Sequence, residues 1–245
     1  MTSAAGSAEL TVHRDGAVTE VILSRPAKAN ALSAALVEAL LVTVAAAARD
    51  GTRLLVLRGE GRNFCAGFDF SDLESQSDGD LLHRLVRTEQ LLQAIYHAPI
   101  ATLALCHGGT YGAGADIVAA CDRRIAAPGT CLRMPGLRFG IALGTRRLRE
   151  RIGADKALEI QGSARTFAAE EAHAIGFIHA IAEQADWPAT IEAIAASLKL
   201  DATAHATLKS RVQTDTREAD LAALARSAAE PGLKERIKAF RQAPE

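Results

Sequence analysis

Phe64-Cys65-Ala66-Gly67-Phe68-Asp69 and His107-Gly108-Gly109-Thr110-Tyr111-Gly112-Ala113-Gly114-Ala115-Asp116 are the two stretches on which the reading of this chain turns. Each follows an apolar run, residues 54–58 in one case and 100–106 in the other, and each run reads as a short buried strand. The second stretch leads into a helix over residues 115–121. A helix start presents unpaired backbone N–H groups at the positive end of a dipole, which suits an anion. Two such turns aimed at one oxygen make an oxyanion hole, worth several kcal/mol to a reaction that builds negative charge on a carbonyl. The same small residues also serve plain close packing of helix on strand, and spacing alone leaves both readings open.

Outward from these turns, strands and helices alternate. Residues 10–12 and 17–23 read as a hairpin through Asp15-Gly16. Residues 33–49, with Leu36, Leu40, Val44 and Ala48 on one face, and residues 81–97, stopped before Pro99, read as amphipathic helices. Residues 123–127 read as a further strand. Beyond Trp187 the pattern is helical only: residues 189–198, 202–211, 218–228 and 233–240. The alternation predicts an α/β fold with crossover connections. It divides into a core over residues 1–185 and a helical region over 186–245. The opening residues 1–8, rich in Ser, Ala and Gly, are expected to fray.

Composition removes several function classes. The 245 residues hold 28 basic and 29 acidic side chains, so no excess charge is available to neutralise a polyanion. Apolar residues make up 49% of the chain but aromatic ones only 4%, and 51 alanines carry much of the difference. Long apolar runs and a net charge of −1 exclude disorder. No run of about 18 apolar residues reads as a membrane span, and no charged–apolar–small leader opens the chain. Cys65, Cys106, Cys121 and Cys131 form no C-x-x-C pair and read as reduced core thiols. A cytoplasmic protein is the expectation. No cluster has metal-ligand spacing, and G-x-S-x-G, H-E-x-x-H and P-loop patterns are absent from the sequence, so no metal site is expected.

Six motifs, in order over roughly residues 8–240, resemble the crotonase (enoyl-CoA hydratase/isomerase) superfamily. Arg25-Pro26-Ala27-Lys28-Ala29-Asn30-Ala31-Leu32 is similar to its R-P-x-x-x-N-A-L segment, and Phe64 to Asp69 to its F-C-A-G-x-D turn. Gly112-Ala113-Gly114-Ala115-Asp116, followed by Cys121-Asp122, resembles the G-G-G-x-E…C-D helix start. Phe139-Gly140 with Gly144-Thr145-Arg146-Arg147-Leu148, then Ala172 and Gly176, then Glu230 to Phe240, match later patterns. The resemblance implies a spiral of ββα turns capped by C-terminal helices. It implies an acyl-CoA thioester substrate, with coenzyme A part of that substrate and no separate cofactor. By position, the two carbonyl-polarising N–H groups belong to Phe68 and Ala113. Cys65, Ala66, Gly67 and Gly112 would lie along the bound CoA thioester, and Lys28 or Lys209 would meet CoA phosphates. It also implies trimers or paired trimers, closed by the C-terminal helices.

Two departures bear on the chemistry. Hydratases of the family place one Glu after the oxyanion-hole glycine and another in an x-P-E segment, so that the two share the work on water and substrate. Here the first position is Asp116 and the second is Gly136, which has no side chain. The loop Gly140-Ile141-Ala142-Leu143-Gly144 is also short and lacks the Asp that dienoyl isomerase and dehalogenase relatives use. Asp116 then reads as a base or as a carboxylate stabilised at a helix start. His107 reads as bonded to nearby backbone, Asp69 as a brace for its turn, and Tyr111 as packing. His83, Arg84, Arg87 and Glu89 flank the pocket and mostly face solvent. The basic run Arg146 to Arg151 reads as a solvated helix face. The expected activity is an acyl-CoA lyase or isomerase with Asp116 as its one carboxylate. An acyl-CoA hydrolase or decarboxylase, or an acyl-CoA-binding protein without turnover, stands as the alternative.

Overall fold

The computed structural model describes residues 2–3 and 9–243. In chain order the elements are β1 (Thr2–Ser3), β2 (Leu10–Asp15), β3 (Val18–Leu23), α1 (Ala34–Ala47), β4 (Leu54–Gly59), α2 (Asp78–Tyr96) and β5 (Ala101–Cys106). Then come β6 (Gly109–Tyr111), α3 (Ala113–Ala120), β7 (Arg123–Ala126), β8 (Cys131–Arg133), α4 (Thr145–Ile152), α5 (Ala154–Ser163) and β9 (Phe167–Ala168). The chain continues through α6 (Ala169–Ala174), β10 (Ala180–Ile181), α7 (Trp187–Ser197), α8 (Ala202–Val212), α9 (Arg217–Ala229) and α10 (Leu233–Gln242). The fraying expected of residues 1–8 lies outside the described residues except at Thr2–Ser3, which pairs antiparallel with β2.

The larger sheet runs β1-β2-β3-β4-β5-β7-β10. Its β2–β3 hairpin closes at Asp15↔Val18, so the turn is Gly16-Ala17, one residue later than the Asp15-Gly16 reading. Gly16 supplies the positive φ, +54°, that a two-residue hairpin loop demands. From β3 onward every pairing is parallel, which requires a crossover between strands. Helices α1, α2 and α3 make the first three crossovers, and the stretch from β8 through α6 makes the fourth, from β7 to β10. Strand side chains alternate between faces. Leu55 and Leu57 of β4 join the core beneath α1 and α2. Leu54 and Val56 face the other way, onto Trp187 and Ile191 of α7. A sheet covered on both faces explains why β5 is buried along its whole length and reads as an unbroken apolar run.

The smaller sheet, β6-β8-β9, has no counterpart in the sequence reading, which left β6 inside a glycine-rich turn. Its strands are two or three residues long, below what periodicity can register. Helix α2 starts at Asp78, a turn earlier than expected, because Ser77 and Asp80 form a reciprocal capping box. The helices after residue 186 share cores with the rest. Alongside α7 on the sheet, Leu224, Leu233 and Ile237 of α9 and α10 pack with Leu81 and Leu85 of α2. That last cluster forms the roof over the site described below.

The basic helix α4 is not the solvated face expected of it. Arg147 is 4% exposed and pairs with Glu89 of α2, itself 1% exposed. Arg151 donates to the carbonyls of Ala119 (2.9 Å) and Cys121 (3.2 Å), and Arg146 pairs with Asp220 at 2.7 Å. Glu89 on α2 and Asp220 on α9 attract the cations inward, a tertiary effect that local sequence does not encode.

Glycine tolerance gives a direct check on this packing. A Cβ on Gly114 would run into the Cys65 carbonyl and approach the Cys65 Cβ to 2.8 Å, whereas one on Gly162 of α5 meets nothing. Gly114→Ala should destabilise the protein by about 1–3 kcal/mol. Gly162→Ala should stabilise it by about 0.5–1 kcal/mol, both read from denaturant midpoints.

Candidate active site

The end of β4 delivers the turn that carries residues 64–69, and the end of β5 delivers residues 107–116. Backbone bonds join the two. Phe64 N–H donates to the His107 carbonyl at 2.8 Å, and Tyr111 N–H donates to the Cys65 carbonyl at 2.9 Å. On its other side the first turn is held by Leu32, whose N–H reaches the Gly67 carbonyl at 2.7 Å and whose carbonyl accepts from Asp69. Gly67 has φ +87°, and a Cβ on it would stand 2.6 Å from the Tyr111 carbonyl oxygen and 3.2 Å from the Ala113 nitrogen. The first turn therefore passes directly against the start of α3.

Phe68 N–H and Ala113 N–H find no acceptor among the described residues. Both residues line one cavity of about 300 Å³, together with Ala66, Gly112, Asp116 and Gly136. The residues expected from the two turns are thus brought to one place. Chemically, two free N–H donors at a mostly apolar cavity can hold a carbonyl oxygen as it gains charge.

Asp116, on the first turn of α3, is the one carboxyl among the lining residues. It is buried, and its Oδ1 has no hydrogen-bond partner among the described residues. Its carboxyl rests on Gly144 at the N-terminus of α4, where any Cβ would collide with it. Burial pushes its pKa well above the usual carboxylate range; Arg147 draws it back down, and Glu89 raises it further. The short 140–144 loop also explains the bare Gly136. Ile141 N–H bonds back to the Gly136 carbonyl at 2.9 Å, and a Cβ on Gly136 would meet the Ile141 oxygen at 2.9 Å.

Other expected residues lie at varied distances from this centre. Cys65 and Gly67 do not line the cavity, though Ala66 between them does; the Cys65 thiol donates to the Asn30 carbonyl at 3.1 Å, and burial pushes its pKa to about 12. Lys28 is exposed, in a 3-10 turn beside Ala29, whose carbonyl holds Ala66 N–H at 2.9 Å. Lys209 is not brought to the cavity: it is buried, with its ammonium on Asp122 at 2.9 Å and on the Ile100 carbonyl. Asp69 braces its turn, accepting from Ser71 N–H and pairing with Arg25 at 2.9 Å. His107 Nε2 contacts the Gly61 carbonyl at 2.9 Å, the backbone role read for it. Of the four α2 residues, Glu89 is the one fully withdrawn from solvent, through Arg147.

Sequence reasoning missed the supports. Asn30, at φ +55°, accepts from Arg25 N–H and donates to the carbonyls of Glu60 and Asn63, tying the loop after β3 to the turn after β4. Asn63 Oδ1 takes Gly109 N–H at 2.8 Å. Arg84 stands over the Phe68 ring at 4.2 Å and donates to the Asp69 carbonyl. A buried Asn inside a matched motif was the one signal available; the others depend on tertiary contact.

Comparison with known proteins follows the same lines. A family model for enoyl-CoA hydratase/isomerase matches residues 13–235. A probable enoyl-CoA hydratase of Bacillus subtilis is 37% identical over 157 residues, 61% of this chain, and the chain spans 60% of that relative's length. A probable enoyl-CoA hydratase of Mycobacterium tuberculosis is 32% identical over 185 residues, covering 73% of this chain and 74% of its own. A crystal structure of a provisionally assigned enoyl-CoA hydratase/isomerase from Bordetella parapertussis is 54% identical. It superposes with a TM-score of 0.95, covering 97% of this chain and 100% of its own.

The state of Asp116 predicts a stability signature. A carboxyl whose folded-state pKa is raised favours folding fully below the ordinary carboxylate pKa, about 4, and loses that contribution as pH climbs through the raised value. Asp116→Asn removes the titration. Its melting temperature relative to the parent chain should therefore rise as pH climbs above the ordinary carboxylate range, about 4. A difference that stays flat over that climb would show Asp116 to be ionised in the folded protein.

Proposed function

The chain belongs to the enoyl-CoA hydratase/isomerase family, and from that premise we propose that it is an acyl-CoA lyase or isomerase in which Asp116 carries the proton. The observation that carries the reading is the arrangement at the cavity: two unpaired N–H groups, of Phe68 and Ala113, beside one buried carboxyl. The N–H pair would take the thioester oxygen and stabilise the enolate formed when an α-proton leaves. Asp116, on the same first turn as Ala113, would remove that proton when ionised or return it when neutral. One carboxyl suffices for moving a proton between carbons, or for protonating an enolate released by bond cleavage. Hydration needs a water positioned and activated as well, and Gly136 offers no group for that work.

Burial raises the Asp116 pKa, which favours its acid form, and a neutral carboxyl can supply the proton that an enolate released by bond cleavage takes up. Ala66, Gly67 and Gly112 would let the pantetheine approach the backbone, and Lys28 at the surface would meet CoA phosphates. Assembly as trimers and a cytoplasmic setting belong to the same proposal. Coenzyme A enters as part of the substrate, with no further cofactor.

The test does not require the natural substrate. A saturated acyl-CoA incubated in heavy water should bind, seen by calorimetry, and exchange its α-protons for deuterium, seen by mass spectrometry. Asp116→Asn should slow the exchange by about 100-fold or more while binding persists. Because the base form must be ionised, exchange should climb with pH until the raised Asp116 pKa is passed. Exchange unaffected by Asp116→Asn would remove Asp116 from the chemistry, and binding without exchange would leave a carrier of acyl-CoA. Gly136→Glu should not confer crotonyl-CoA hydration, because its side chain has to displace the Ile141 carbonyl first.

A further inference from the structure

The chain has seven phenylalanines, and four of them, Phe68, Phe70, Phe139 and Phe240, line the cavity that holds Asp116. They come from three distant segments: the turn after β4, the 3-10 turn Gly136–Phe139, and α10. In a protein with 4% aromatic residues, composition does not produce that concentration. The rings form a continuous series. Phe68 and Phe70 have centroids 5.1 Å apart, Phe70 and Phe139 6.3 Å with planes at 83°, and Phe139 and Phe240 4.9 Å. Each distance falls in the range where tilted or edge-to-face rings attract beyond their buried area. Arginines stand over members of the series: Arg84 over Phe68 at 4.2 Å and Arg138 over Phe240 at 5.5 Å. Those cations hold ring faces in place and leave the other surfaces for the cavity.

We propose that this cavity selects an acyl group carrying an aromatic ring. The inference rests on the thioester reading above and names the class of acyl group for that site. Phe68 contributes both a free N–H and the first ring, so a ring two or three bonds from the thioester carbonyl lies beside Phe68 and Phe70. Size agrees. A benzene ring fills an apolar cavity of about 150 Å³, so about 300 Å³ takes one ring with a short linker and the thioester. Leu85, Met134, Ile141 and Leu143 add apolar wall, while Arg133 brings a charged side chain to the same lining. An alkyl chain of equal carbon number gains the same burial but none of the ring–ring attraction, and so binds more weakly.

Calorimetry with cinnamoyl-CoA, 2-nonenoyl-CoA and free CoA tests this on the intact protein, since the two thioesters match in acyl carbons and in the conjugated double bond. Cinnamoyl-CoA should bind about tenfold more tightly than 2-nonenoyl-CoA. Phe70→Leu and Phe139→Leu, which keep an apolar wall, should each shrink that ratio toward unity. Equal binding, tighter binding of 2-nonenoyl-CoA, or a ratio unmoved in both variants would overturn the proposal while the thioester reading stands. Failure of both thioesters to bind would overturn the two together.

Discussion

Backbone touching backbone is the constraint from which the site follows. Gly67 and Gly114 are the points where the turn after β4 and the start of α3 come into contact, and neither position has room for a Cβ. The parallel strands β4 and β5 set the spacing of the two turns, since adjacent strands in a sheet lie about 4.8 Å apart. Small residues then let the turns close the remaining gap. The same proximity leaves Phe68 N–H and Ala113 N–H facing a shared space with no acceptor for either among the described residues. A side chain at either glycine would separate the turns, and the paired donors would no longer converge.

Charge burial is the second organising cost. Glu89 and Arg147 are removed from water together, on helices that have to pack for the pair to form. Breaking one partner of such a pair leaves an isolated buried charge, a loss of about 3–5 kcal/mol. This ties α2 to α4, and α4 begins at the Gly144 against which Asp116 rests. The setting of the lone carboxyl is therefore fixed by the charge pair as well as by its own helix. The ionic contact and the apolar cluster of Leu224, Leu233 and Ile237 hold the same roof from different sides.

Much of the scaffold was legible in the sequence because its signals are local. The Ser33 cap, the four-residue spacing in α1, the unbroken apolar run of β5 and the helical tail each state an element within its own residues. Phe68 and Ala113 were picked out by the family resemblance, since spacing alone left close packing of helix on strand open, and both are found with Asp116 at one cavity. What stayed hidden depends on distant partners. Arg147 reads as a surface cation until Glu89 is placed opposite it, and Phe139 and Phe240 read as separate apolar residues until α10 folds over. Lys209 shows the converse: the family resemblance implied a phosphate contact, but its ammonium is buried against Asp122, 87 residues earlier in the chain.

Cys65 gives this architecture a consequence in reactivity. Cys65 is fully buried and stands in the chain next to Ala66, which lines the cavity, so a thiol sits one residue from that space without opening onto it. Only the thiolate reacts. Burial pushes the thiol to about 12, so it stays protonated at neutral pH. The hydrogen bond to Asn30 further occupies the sulfur's proton. The turn can thus keep a small, polarisable side chain where a serine hydroxyl would demand stronger hydrogen bonds, without placing a reactive thiolate beside the cavity.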